Sequence, residues 1–77
     1  MNSALGDGAL YYNTIGYGNS AIGFGALAVN TTGYYNVSIG SWSAWYNTTG
    51  SHNIALGWSS LSQNETGVDN IAIGRQA

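Results

Sequence analysis

The sequence predicts an all-β chain wound as a parallel β-solenoid, a β-roll of about four and a half 17-residue coils. Three observations predict it. The first is a repeat without a slip. Asn2, Asn19, Asn36, Asn53 and Asn70 lie 17 residues apart, and Gly6, Gly23, Gly40, Gly57 and Gly74 keep the same spacing. Asn13, Asn30, Asn47 and Asn64 repeat likewise, as do Gly16, Gly33, Gly50 and Gly67. Counted from the first Asn of each unit, all nine asparagines fall at positions 1 and 12, and nine of the twelve glycines at positions 5 and 15. The second is the period itself, since helical-pair repeats need about 33 residues or more, whereas 17 suits one turn of a β-solenoid. The third is small size without a staple. Residues 1–77 make one repeat domain at most, with no cysteine for a disulfide and one histidine, too few for a His/Cys zinc cluster. Association with other chains is the support that remains.

Each coil opens on Asn-x-Ala/Ser-Leu/Ile-Gly, which reads as a short strand. Its positions 2 and 4 point to one side and position 3 to the other. Position 4 is always a large aliphatic (Leu5, Ile22, Ile39, Leu56, Ile73), so that side is expected to face the core, opposed by Leu10, Leu27, Ala44 and Leu61 at position 9. Gly at position 5 is expected to take a backbone angle closed to other residues and to turn the chain out of the strand. Positions 6 to 11 have two readings, a helical turn or a second strand or extended arc. A single helical turn is unstable alone and Gly8 and Gly25 weaken it, so the extended reading is preferred. Asn-Thr-Thr-Gly at positions 12 to 15 carries the Asn-first, Gly-fourth signature of a type I turn. Coils stacked about 4.8 Å apart set like residues above one another, so the asparagines are expected to form two amide ladders. The same repeat creates glycosylation sequons at Asn30, Asn36, Asn47 and Asn64, which are therefore weak evidence for glycans.

Charge excludes several functions. Asp7, Glu65, Asp69 and Arg75 are the only charged residues, 5% of the chain. One cation excludes phosphate-backbone binding as a main role, so nucleic acid is not an expected partner. No stretch reaches about 18 apolar residues, so no membrane insertion by a helix is expected. Met1-Asn2-Ser3-Ala4-Leu5 lacks the basic start and apolar core of a signal peptide. The last unit stops mid-coil at Ile73-Gly74-Arg75-Gln76-Ala77 without a polar cap, which fits a fragment of, or a building block for, a longer fibre. His52 and Asp69 share position 17 in successive coils and are expected to be stacked neighbours, but no activated nucleophile accompanies them. Asp7 and Glu65 stand at different positions of different coils. No enzyme activity, catalytic residue, metal or cofactor is expected.

The aromatic residues, 13% of the chain, fall only at positions that vary between units, so they are expected at corners and outer faces. Position 10 reads Tyr11, Ala28, Trp45, Ser62, leaving a notch over Ala28 between two rings. Trp45, Tyr11, Tyr46 and Trp42 are the candidate ligand-binding residues. Rings two coils apart, about 9.6 Å, could grip the flat apolar face of a sugar. The preferred reading packs these rings between chains, where aromatic residues are enriched. Ala44 stands where the other coils have Leu, a space that an inward-folding Trp42 or Trp45 would fill.

The run Gly18-Asn19-Ser20-Ala21-Ile22-Gly23-Phe24-Gly25-Ala26-Leu27-Ala28 resembles the head repeats of trimeric autotransporter adhesins, the YadA-like heads, built on Asn-Ser-x-Ala-Ile-Gly-x-x-Ala-x-Ala. Asn53-Ile54-Ala55-Leu56-Gly57 is similar, and the Asn-Thr-Thr-Gly segments resemble repeats of phage tail-fibre-type proteins. The coil here is longer by that turn and richer in aromatics. The resemblance implies a left-handed roll, a side-by-side homotrimer, an extracellular place on a cell surface or virion fibre, adhesion to host matrix or cells, and no catalytic residues. The expected function is a structural and adhesive fibre segment, a rigid oligomeric β-solenoid displaying aromatic and amide side chains for attachment. Its expected partners are copies of itself, as homotrimer or filament, and host glycans or matrix. The alternative is a carbohydrate-binding, lectin-like module. Further alternatives are a self-assembling filament and an ice-binding surface on the threonine files Thr14, Thr31, Thr48 and Thr32, Thr49, Thr66.

Overall fold

In a computed structural model describing residues 1–77, the chain is all-β, a parallel β-solenoid of about four turns. Its strands are β1 (Ser3–Leu5), β2 (Ser20–Ile22), β3 (Val37–Ile39), β4 (Ile54–Leu56) and β5 (Ile71–Ile73). They form one sheet in sequence order with every pair parallel. The register follows the repeat: Ala4 pairs with Ala21, Ala21 with Ser38, Ser38 with Ala55 and Ala55 with Ala72. Only 8 of 51 backbone–backbone hydrogen bonds lie within strands, so the stack is held by its turns as much as by its sheet.

The glycines at position 5 turn the chain out of each strand at φ of 122° to 129°. A Cβ on Gly40 would sit 2.7 Å from the carbonyl carbon of Gly57, so both backbone angle and space demand glycine. The expected second strand or extended arc at positions 6 to 11 is replaced by three successive tight turns. In the second coil the N–H groups of Ala26, Ala28 and Asn30 donate to the carbonyls of Gly23, Gly25 and Leu27 at 3.2, 3.2 and 3.1 Å. Gly25 (φ 71°) and Leu27 (φ 52°) supply the positive angle that a type II turn needs at its third residue. The intervening amides bond along the stack, Gly25 N–H to the Asp7 carbonyl at 2.9 Å and Leu27 N–H to the Ser43 carbonyl at 3.0 Å. An extended arc of six residues would reach roughly 20 Å. Turns fold that length back into a narrow coil while leaving alternate amides free for the neighbouring coils. The Asn-Thr-Thr-Gly corner lacks the backbone bond of a closed type I turn. The N–H groups of Thr31, Thr32 and Gly33 instead converge on the Thr48 carbonyl at 3.0, 3.2 and 3.1 Å, and the Asn30 side chain closes the corner onto the Gly33 carbonyl at 3.1 Å.

The strand faces are reversed from expectation. Position 3 is buried in Ala21, Ser38, Ala55 and Ala72, whereas Ile22 and Ile39 at position 4 are 44% and 41% exposed. The interior beside the strands is filled by small side chains. Its apolar cluster is Ala21, Ala26, Leu27, Ala44 and Ala55, and Leu27 is its one large side chain. The third coil adds the buried Ser38 and Ser43. The Ser38 hydroxyl donates to the Ser43 carbonyl at 2.9 Å, and Ser43 Oγ donates to the Gly40 carbonyl at 2.7 Å. Trp42 and Trp45 do not fold inward beside Ala44; they stay half-buried on the flank.

Two asparagine files run the length of the stack. The N–H groups of Asn19, Asn36, Asn53 and Asn70 donate to the Oδ1 atoms of Asn2, Asn19, Asn36 and Asn53 at 2.9, 2.9, 3.0 and 3.0 Å. The Nδ2 groups of Asn2, Asn19, Asn36 and Asn53 also reach the position-15 glycine carbonyls of their own coils, as Asn36 reaches Gly50 at 2.9 Å. In the second file Asn30 Nδ2 donates to Asn13 Oδ1 and Asn47 Nδ2 to Asn30 Oδ1, both at 2.8 Å. Asn47 Nδ2 also meets the Gly50 carbonyl, at 3.1 Å, so that carbonyl ties the two files together. No buried polar side-chain atom lacks a partner.

Asn36→Ala strips a buried acceptor from Asn53 N–H and a donor from the Gly50 carbonyl, and is expected to cost about 2–3 kcal/mol. Asn2→Ala, at an exposed position, is expected to cost under about 1 kcal/mol. Urea melts of the two variants check the ranking. Gly40→Ala meets both strain and backbone collision, and circular dichroism at room temperature is expected to show loss of the fold.

Candidate functional site

The turns at positions 6 to 11 decide which aromatics meet. Folding that arc back brings positions 6, 7, 10 and 11 onto one flank of the stack. Trp42 takes the left-handed angle (φ 64°) at a position held by Gly8 and Gly25 in the two preceding coils. Its ring packs against Phe24 at 5.0 Å and Trp45 at 4.5 Å between centroids. These three rings form one wall of a cavity of about 270 Å³. Tyr11 and Tyr12, edge to face at 4.9 Å, form the other wall. Gly8, Gly25 and Ala28 form the floor, and the exposed Asp7 completes the lining. The floor at Gly25 has no spare room, because a Cβ there would lie 2.6 Å from Cζ3 of Trp45.

The structure thus brings together Tyr11, Trp42 and Trp45 of the four candidate residues, with Ala28 between Tyr11 and Trp45. Tyr46 is not in this cavity. It stands edge-on to Trp45 at 6.4 Å and shares with Trp42, Trp45 and Trp58 a second, more open depression of about 500 Å³. Phe24, Tyr12, Asp7 and Gly25 line the cavity without having been singled out from the sequence. Their signal was present in Trp42, a bulky ring one coil on from a glycine, but an extended arc would have spread these positions apart.

No side-chain hydrogen bond involves Trp42 or Trp45, and neither indole N–H is buried without a partner, so both N–H groups are open to solvent. The amides are not on display. Asn19, Asn30, Asn36, Asn47 and Asn53 are buried, spent in the two files. Burial also closes the sequons at Asn30, Asn36 and Asn47, whose side-chain nitrogens are already engaged. The hydroxyls of Thr14, Thr31 and Thr48 donate to the carbonyls of Thr31, Thr48 and Glu65, so this file is not a free hydroxyl array.

A second aromatic group sits at the position-16 and position-17 corner. Tyr17 and Tyr34 stack at 5.1 Å with an interplanar angle of 9°. His52 lies against Tyr34 and Tyr35 at 5.4 Å each, and its Nδ1 is 3.4 Å from Ser51 Oγ. The His52 ring therefore meets these tyrosines and Ser51, and no hydrogen bond joins it to Asp69. No three His, Cys, Asp or Glu side chains gather closely enough to hold a metal ion. No protein-family model, curated protein or solved structure matches the chain.

Two indoles with centroids 4.5 Å apart are expected to give an exciton couplet in far-ultraviolet circular dichroism. Trp42→Phe or Trp45→Phe is expected to abolish the couplet, and Trp58→Phe to leave it.

Proposed function

We propose that this chain is a structural and adhesive fibre segment, a rigid β-solenoid that associates side by side with its own copies and presents its aromatic flank for attachment. The observation that carries this reading is the outward aliphatic stripe. Leu5, Ile22, Ile39 and Ile73 at position 4 and Ile54 and Ile71 at position 2 are exposed on one face of one sheet. A contiguous exposed apolar face marks an interaction surface. This one contains no charged residue at either position, and its files repeat at coil spacing, so an identical face is the complementary partner. The interior buries little beyond alanine and serine, and association supplies the apolar burial that the interior lacks. The resemblance to YadA-like heads adds the three-chain arrangement and the extracellular, cell-surface or virion setting to the proposal. Association through the aliphatic face leaves the aromatic flank for adhesion.

Native mass spectrometry and sedimentation at micromolar concentration test this, with an oligomer expected. Ile39→Asp buries an unpaired charge at the centre of the face and is expected to weaken association by roughly 30-fold or more, since such a charge costs about 2–5 kcal/mol. A folded monomer of the unaltered chain at that concentration would falsify the proposal.

A further inference from the structure

We infer that the cavity over Ala28 is a binding site for a neutral saccharide, taking one pyranose ring or a short glycan terminus. The inference deepens the adhesive reading by naming what the flank would hold. It does not depend on the strand-face association, which uses other positions of the coil.

Three features of the cavity select this chemistry. Its walls are aromatic, and a sugar ring offers the apolar C–H face that such rings pack against. Tyr11 and Trp45 stand two coils apart along the stack and both line the cavity, with the small Gly25 and Ala28 of the intervening coil leaving room for a ring between them. Its volume of about 270 Å³ lies at the small end of ligand cavities, typically about 300–1,000 Å³, and so suits a ring or two rather than an extended polymer.

The polar groups complete the match. Among the lining residues the exposed Tyr11 and Tyr12 carry hydroxyl donors, and the exposed Asp7 carries a carboxylate acceptor. A hydroxylated ligand satisfies donors and acceptor together. Asp7 also sets the charge. The cavity contains no cation, so a uronate or sialate carboxylate would face Asp7 with nothing to offset the repulsion.

Saturation-transfer NMR and tryptophan fluorescence titration of the purified chain test the assignment, using methyl hexopyranosides, neutral disaccharides, glucuronate and sialic acid. Neutral sugars are expected to bind and the two acids to bind at least about tenfold more weakly. Tyr11→Ala removes one wall at an exposed position and is expected to weaken neutral binding roughly three- to tenfold. Ala28→Leu fills the cavity and is expected to abolish binding; if Ala28→Leu does not fold, Tyr11→Ala and Phe24→Ala carry the test. Asp7→Asn is expected to narrow the gap between neutral and acidic sugars. No neutral sugar bound by a folded chain, acids bound as well as neutral sugars, or affinity unmoved in Tyr11→Ala and Phe24→Ala would each overturn the assignment. Native mass recorded on the same samples separates this result from the state of association.

Discussion

The structure depends on hydrogen bonds that run from one coil to the next at a fixed offset of 17 residues. The position-1 asparagines make the offset unambiguous. In Asn2, Asn19, Asn36 and Asn53 the Oδ1 accepts the backbone N–H of the equivalent asparagine one coil on, and the Nδ2 crosses its own coil to a glycine carbonyl. A shift by any other number of residues would bury these amides without partners, at about 1–3 kcal/mol for each lost donor or acceptor. The asparagine files therefore do for this chain what an apolar core does for most domains: they distinguish one arrangement from its neighbours. The glycines follow from them. Position 15 must bring its carbonyl against two amide groups, and its lack of a Cβ permits the approach.

An interior filled by amides, alanines and serines has no room for the aliphatic residues the strands also carry. They go outside. The reversal of the strand faces thus puts the isoleucines that do not enter the coil on its outside, where they form an exposed apolar stripe along one face of the sheet. The aromatic residues are placed by a different cause. Consecutive tight turns gather positions that lie apart in an extended chain, and where glycines leave the floor open, the rings of neighbouring coils close into walls. The strand face and the aromatic flank are products of the same narrow coil.

Much of this was legible in the residues. The strict recurrence of Asn2 through Asn70 and of the glycines at positions 5 and 15 fixed the period, the parallel register and the stacking of like residues. The alternation at position 10 located the notch over Ala28. The facing of the strands was misread, because a run of Leu and Ile at position 4 ordinarily marks the inside. Only the cross-section of the coil, set by turns closed through Leu10, Leu27 and Leu61, shows that the smaller residue of each strand must turn inward. The same turns hid the roles of Phe24, Tyr12 and Asp7. Left-handed angles at leucine have no signature in composition, since propensity alone argues against them.

Those angles bear on how the solenoid assembles in time. Leu10, Leu27, Ala44 and Leu61 all hold φ between 47° and 53°, a conformation that a lone turn would abandon. What keeps them there is the row of axial amide bonds to adjacent coils. Two coils must come together before either is secure, so nucleation is slow. Every later coil closes a loop of only 17 residues onto a finished template, an entropic cost that does not grow with array length. The molecule is in this sense a zipper, hesitant at its first tooth and quick thereafter.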